Sequence, residues 1–421
     1  MSTPLTNTVT TPRFTRRRWL LLATVAAGTL AAGCSSPAPA AKPTEAPKPA
    51  EAPKPTTAPA APAASPAAAA SPAAAAASPA AGAATAPSPA AASASPAASP
   101  AAQAAPATGP ATAKPAAMTN ASQVMNWFGQ SSQGGFFAAL KNGHYEKQNV
   151  KMTNAQGGPQ ISPIPLIANG THTFGMTSSE QVLLARAEGV PLVMVYGTMQ
   201  VNPQGLMFHQ SHPVKDFADL NGRKVYVSGA GTFWQVLTKK YKLDNVQQFQ
   251  YNGQLATFLA DETNVFQCFV TSEPVILKSQ GKQVGYLLNA DSGFNPYQNA
   301  MVCLEKTVKE QPDLVQAYVT ASLQGWLDYT KDPKPTLEYI KSEYNKELNL
   351  ETEPLTFAAE KETFVSGKGG YNTKNLGLLT DDRFKELYEL IRGLGVLTKD
   401  VDYKTAFDSS FITKAHASLG M

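Results

Sequence analysis

Cysteine is almost missing from this sequence, with three residues in 421, at positions 34, 268 and 303. That is too few to organise a fold around disulfides. Cys268 and Cys303 each lie in an apolar run, which suits buried free thiols, although an oxidising compartment would also let them bridge if their Cα atoms come within range. Histidine is scarce too: there are five, and His209 and His212 sit in a polar stretch without cysteines or carboxylates to complete a metal centre. No metal and no cofactor is therefore expected. No Gly-x-Ser-x-Gly occurs, and no cysteine stands near a histidine as a nucleophile would. Gly229-Ala230-Gly231 follows an apolar run but lacks the third glycine of a dinucleotide fingerprint. No repeats occur outside one low-complexity stretch, which argues against a repeat-built adhesin.

Net charge is also missing where it would matter. The formal value is +4, and Arg13, Arg16, Arg17 and Arg18 account for all of it. The chain from Cys34 onward is neutral, which argues against nucleic acid as a partner.

Those arginines open an export signal. Arg16-Arg17-Arg18-Trp19-Leu20-Leu21 leads into an apolar run that is short for a membrane span and ends in small residues, so residues 1–33 read as a cleaved signal peptide. Leu30-Ala31-Ala32-Gly33-Cys34 resembles the bacterial lipobox, which makes Cys34 the lipidated N-terminus of an extracytoplasmic, membrane-anchored protein. Thr15-Arg16-Arg17 also resembles a twin-arginine signal, and the general and twin-arginine routes both stay open. Residues 34–117 hold that cysteine and then almost only Ala, Pro and Ser. Such a segment buries too little apolar surface to offset the entropy of ordering, so it is expected to be a disordered linker. At about 3.1 Å per residue its outer reach is on the order of 250 Å.

The globular part, residues 118–421, is organised around Met125-Asn126-Trp127-Phe128-Gly129-Gln130. This reads as a strand ending in two aromatics, then a polar loop with free backbone N–H groups and the start of a buried helix. Helices are expected at 133–143 and 161–168, a strand at 173–176, and a Ser178/Ser179-capped helix to Ala187. Gly157-Gly158-Pro159 is a turn. The apolar run 192–196 is a strand, and alternation of such runs with amphipathic helices predicts a mainly parallel sheet covered on both faces. Gln200 to Phe208 reads as the first crossing to a second lobe, with strands at 224–227, 249–251 and 265–270 and helices at 233–241 and 255–261. Runs 284–288 and 297–304 are assigned to the return. Beyond Pro312 the chain is helical. The division expected is lobe one at about 118–203 and 290–421 and lobe two at about 204–289.

Taken together, Asn126-Trp127, Gln133-Gly134-Gly135-Phe136-Phe137-Ala138-Ala139, Gly143-His144-Tyr145, Phe174-Gly175, Ala185-Arg186-Ala187 before Gly189-Val190-Pro191, Asp219-Leu220 with Gly222 and Lys224-Val225, and Ser272-Glu273-Pro274 before Gly281 carry a resemblance. In order and spacing they resemble the periplasmic-binding-protein family named after the fungal thiamine-pyrimidine synthase. The similarity runs from about residue 125 to 411. It implies an α/β, two-lobed periplasmic-binding-protein (type II) fold with a ligand cleft between the lobes. It also implies a monomeric, non-enzymatic receptor that hands a small-molecule ligand to an ABC permease in the cytoplasmic membrane. Family receptors take thiamine pyrimidine precursors, riboflavin, sulfonates or nitrate. Asn126, Gln133 and Gly129 depart from the family's acidic residue, His and Pro at the pocket corner.

Such a cleft needs flat apolar faces and a few fixed polar groups. Trp127, Phe136, Tyr196, Trp234 and Tyr251 are the aromatic candidates for stacking on a planar ring. Gln133, Gln204 and Asn252 are polar candidates near the lobe junctions. Ser178 and Ser179 stand where helix N–H groups are unpaired, and Ser228 to Thr232 offer a second such end. Glu273, after a strand end, either accepts from a ring amino group or serves its own helix N-terminus. Aromatic richness without an arginine clamp favours a planar vitamin or precursor over a small anion. A synthase would need that family's cysteine-rich motif, where this chain has Phe266-Gln267-Cys268-Phe269 with one cysteine.

Overall fold

The computed structural model describes residues 113–158, 161–229, 231–367 and 370–421. The signal peptide, Cys34 and nearly all of the linker lie outside the described residues, as do Pro159 of the turn and Ala230.

Among the described residues ten strands form two sheets. In chain order they are β1 (Thr119–Val124), β2 (Val150–Ala155), β3 (Phe174–Thr177), β4 (Leu192–Tyr196), β5 (Gln204–His209), β6 (Lys224–Val227), β7 (Gln247–Gln250), β8 (Asn264–Phe269), β9 (Val284–Leu288) and β10 (Ala300–Leu304). The first sheet has the order β2-β1-β3-β10-β4 and the second β7-β6-β8-β5-β9. Strands β3 and β4 are buried along their whole length, as continuous apolar runs covered on both faces should be.

Three expectations are corrected. The sheets are mixed, not mainly parallel: β10 runs antiparallel to β3 and β4, and β5 antiparallel to β8 and β9. The reason is the double crossing, since a strand that arrives from the other lobe enters its sheet from the opposite end. Residues 284–288 do not return to lobe one, because β9 pairs with β5 along its length in lobe two. The polar loop after Phe128 does not leave its N–H groups free. Gly129 N donates to Gln156 Oε1 at 2.9 Å, Gln130 N to Gln133 Oε1 at 3.2 Å, and Ser131 N to Glu353 Oε2 at 2.7 Å. Buried backbone donors take partners, and here side chains supply them.

Helices cover the first sheet. Pro312–Lys331 is the central one, and its residues Leu314, Tyr318, Ala321, Val315, Val319, Ser322 and Trp326 are all buried. Tyr318 stacks on Phe174 with centroids 3.8 Å apart and donates to Gln123 Oε1 at 2.8 Å. This helix approaches Gly134–Lys141 closely: Gly325 faces the carbonyl of Gly135. Cys268 and Cys303 are buried and unpaired. Among the described residues no helix is long and apolar enough to cross a membrane.

The lobes are joined by two crossings, residues 197–203 and 289–299. They run side by side, with Met199 N donating to Gln298 O at 3.0 Å and Asn202 N to Asn295 Oδ1 at 2.8 Å.

Candidate functional site

Between the sheets lies a cavity of about 250 Å³. Lobe one supplies Asn126, Trp127, Gln130, Ser132 and Gln133 from the stretch just past β1. Lobe two supplies Gln204 at the start of β5, Tyr251, Gln267, Cys268 and Phe269 of β8, and Ser272 and Glu273 at the following helix start. Gln298 and Asn299, at the end of the second crossing, complete the wall. Strand ends converge on the cleft because the backbone ladder stops there and side chains of the connecting residues take over.

Seven of these groups are carboxamides, and Glu273 is the one charged side chain among them. The amides hold each other in place. Asn126 Nδ2 donates to Asn299 Oδ1 at 2.9 Å, and Gln133 Nε2 donates to Asn126 Oδ1 at 3.4 Å. Asn299 has φ +52, a left-handed conformation that asparagine tolerates better than most residues. Across the cleft, Gln267 Oε1 accepts from Ser228 N at 2.7 Å, so its amide N–H₂ is left for the cavity. A primary amide presents both a donor and an acceptor and carries no charge. A collar of them fits a neutral ring whose edge alternates the two.

Glu273 is held by Phe269 N at 2.9 Å and by the Tyr251 hydroxyl at 3.1 Å. Burial raises its pKa above the ordinary carboxylate range, and the hydrogen bonds it accepts pull the other way. Burial also pushes the Cys268 thiol well above its usual range, so it stays protonated at neutral pH. Trp127 and Phe128 meet edge-on at 5.8 Å and remain partly exposed at the lip.

Of the residues anticipated for ligand contact, Trp127, Gln133, Gln204, Tyr251 and Glu273 line this cavity. The others lie elsewhere. Phe136 and Tyr196 are buried in the lobe-one core, edge to face at 5.6 Å, with Phe136 also against Trp326. Trp234 is buried in lobe two, its Nε1 donating to Gln248 Oε1 at 2.7 Å. Asn252 is exposed and accepts from Gln254 N at 3.0 Å. Neither serine caps the Ser179–Ala187 helix as expected. Ser178 Oγ donates to Glu180 Oε1 at 2.6 Å, and Ser179 Oγ accepts from Tyr297 N at 2.9 Å. The second helix end is engaged as well, with Thr232 Oγ1 accepting from Gln181 Nε2 at 2.8 Å across the lobes. Sequence reasoning missed Gln130, Gln267, Gln298 and Asn299. The signal available for them was a polar amide close to an apolar strand: Gln130 in the loop after β1, Gln267 within β8, and Gln298 and Asn299 just before β10.

A family model described as "NMT1/THI5 like" matches residues 130–336. The chain is 29% identical over 255 residues to the riboflavin-binding protein RibY of Chloroflexus aurantiacus, covering 57% of this chain and 70% of that one. It is 22% identical over 269 residues to the formylaminopyrimidine-binding protein of Halalkalibacterium halodurans, covering 60% and 81%. It is 23% identical over 292 residues to the 4-amino-5-hydroxymethyl-2-methylpyrimidine phosphate synthase of Schizosaccharomyces pombe, covering 62% and 82%. Among solved structures, the alkanesulfonate-binding protein SsuA of Xanthomonas axonopodis pv. citri shares the fold at a TM-score of 0.53 and 14% identity, covering 70% of this chain and 99% of that one.

Proposed function

We propose that the chain, whose residues 130–336 match the NMT1/THI5-like family model, is the extracytoplasmic solute-binding receptor of an ABC importer, closing two lobes around a flat, uncharged heteroaromatic ligand. The observation that carries this reading is the wall of the cleft: seven carboxamides, aromatic faces and one carboxylate, with no lysine or arginine among the described residues. A small anion would be desolvated there without a cation, and next to Glu273. A vitamin-sized ring with alternating N–H and C=O groups meets a complementary collar, with Trp127 and Tyr251 at its faces. Riboflavin and a thiamine pyrimidine precursor are the ligands of choice. Closure follows from contacts that only the closed form makes from both lobes.

Support for a receptor over a pyrimidine synthase comes from the same wall, whose one thiol is held protonated by burial and is unsuited to nucleophilic work. Cys34 is the lipid attachment point in this proposal, tethering the receptor as a monomer beside its permease. Cells expressing the chain and fed a tagged fatty acid should label it, and Cys34→Ser should remove the label.

The deciding measurement is a thermal-shift screen against riboflavin, formylaminopyrimidine, taurine and nitrate. A ligand of micromolar Kd at millimolar concentration stabilises the folded state by about 4 kcal/mol. Riboflavin or the pyrimidine gives the shift. Glu273→Gln weakens that ligand by roughly 10- to 100-fold, the range of one charge-assisted hydrogen bond. Trp127→Ala weakens it by about tenfold through the lost face. A shift with taurine or nitrate alone refutes the proposal, and unchanged affinity in both variants moves the ligand out of this cleft.

A further inference from the structure

Arg383 belongs to the Asp381–Gly393 helix of lobe one, yet its guanidinium lies between the two crossings. On the first crossing it donates from Nη1 to Gln200 O at 2.5 Å and from Nη2 to Met199 O at 3.5 Å. On the second it donates from Nε to Asn295 O at 2.9 Å and from Nη2 to Pro296 O at 2.9 Å and Asn295 Oδ1 at 3.3 Å. Its Cζ stands 3.8 Å over the Tyr297 ring. These five hydrogen bonds go to carbonyl and amide oxygens, and among the described residues none goes to a carboxylate. Burial lowers its pKa only to about 10, so it stays charged at neutral pH.

This is an unusual use of a buried cation. A rigid fork of five donors matches a fixed set of oxygens in a way a flexible ammonium cannot. The oxygens it collects belong to the two segments that must rotate together when the lobes close. Both crossings also run into the cleft, the first at Gln204 and the second at Gln298 and Asn299.

We propose that Arg383 is the hinge-positioning residue: it clasps both crossings at one spacing, and so sets the lobe geometry from which the ligand is captured, without touching the ligand. The proposal rests on the two-lobed receptor reading, but its first test does not need a ligand. In the full chain, amide hydrogen exchange is followed by mass spectrometry in wild type, Arg383→Lys, Arg383→Gln and Asn295→Ala. The clamp predicts about tenfold faster exchange or more in residues 197–203 and 289–299, with β1 and β6 unchanged. Lysine, which keeps the charge and loses the fork, should not restore protection. Asn295→Ala, which leaves the arginine in place and removes one of its acceptors together with that of Asn202 N, should loosen the same two segments and keeps the question open to test if an Arg383 variant does not fold. Riboflavin affinity, measured alongside, should fall about tenfold in Arg383→Lys although no cleft side chain has changed. Exchange that stays at the wild-type rate in the crossings, or that rises evenly over both sheets, overturns the clamp. If riboflavin fails to bind wild type, the ligand reading falls while the ligand-free exchange still decides the role of Arg383.

Discussion

Gly325→Ala lowers the unfolding free energy by about 3 kcal/mol or more, the upper end of the range for overpacking a core. A Cβ on Gly325 would stand 2.2 Å from the Gly135 carbonyl oxygen and 2.6 Å from both the N and the Cβ of Ala139. These are backbone and stub atoms of the facing helix, so no side chain can rotate aside and the helices must part. The interface is close-packed on both sides, since a Cβ on Gly135 would meet the Trp326 ring at 2.1 Å and one on Gly134 the Tyr329 ring at 2.1 Å. Parting it also reaches the cleft: the helix Gly134–Lys141 follows directly on Ser131–Gln133, whose Ser132 and Gln133 line the cavity. Ligand binding in the cleft should therefore weaken along with stability. Gly393→Ala is the control, because nothing lies within 4 Å of its added methyl, and it should change stability favourably by less than about 1 kcal/mol. Urea midpoints at constant slope measure both. Equal midpoints for the two variants would show that the helices separate at no cost and that this packing account is wrong.

The same interface shows where a sequence stops being readable. Gly134-Gly135 stands out as a motif before a buried helix, and the family resemblance hangs partly on it. The reason for the two glycines, the rings of Trp326 and Tyr329, lies far along the chain on another helix and leaves no local mark. Period and composition carried the α/β reading because strands such as Leu192–Tyr196 and helices such as Pro312–Lys331 announce themselves locally, while the two-lobed fold came with the family resemblance. Sheet direction did not, since the antiparallel entry of β5 and β10 is a property of the two crossings and not of either strand. In the cleft, Trp127 and Glu273 were visible because a bulky or charged residue at a strand end is conspicuous. Gln130, Gln298 and Asn299 were not, because amides are ordinary in connecting segments, and Gln267 was not, because a polar residue inside a strand such as β8 gives no local sign of facing a cleft. Phe136, Tyr196 and Trp234 have the same local appearance as Trp127; burial alone separates them. Ser178 and Ser179 read as a capped helix end, but Glu180 and Tyr297 take their hydroxyls.

Glu180 leads to the second large effect, a loss of stability as pH rises through neutrality. Its carboxyl is buried in the first turn of Ser179–Ala187, with one oxygen accepting from Ser178 and Oε2 unpartnered. Burial raises its pKa from 4.5 to about 7. A carboxyl whose folded pKa is raised favours the folded state fully below about 4.5, and that contribution disappears as pH climbs through 7. Integrated over this window it amounts to roughly 3 kcal/mol. Glu353 and Glu360 act in the same direction, as burial raises both and Glu353 repels the charge on Glu360. The depressed carboxylates work in a different window: Asp261, hydrogen-bonded to Lys224, and Glu305, bonded to Lys309 and Arg186, favour the folded state above their ordinary values and lose it only on acidification below them. His172, lowered by burial, opposes the trend below its ordinary pKa of 6.5. Stability should thus peak near pH 5 and decline toward pH 8. In Glu180→Gln the neutral side chain keeps the shape and gives up the proton, so the decline between 4.5 and 7 should shrink by about 3 kcal/mol, leaving the part due to Glu353 and Glu360. Urea unfolding at pH 5, 6, 7 and 8 resolves it, and an unaltered slope in Glu180→Gln would mean that this carboxyl is already ionised in the folded protein.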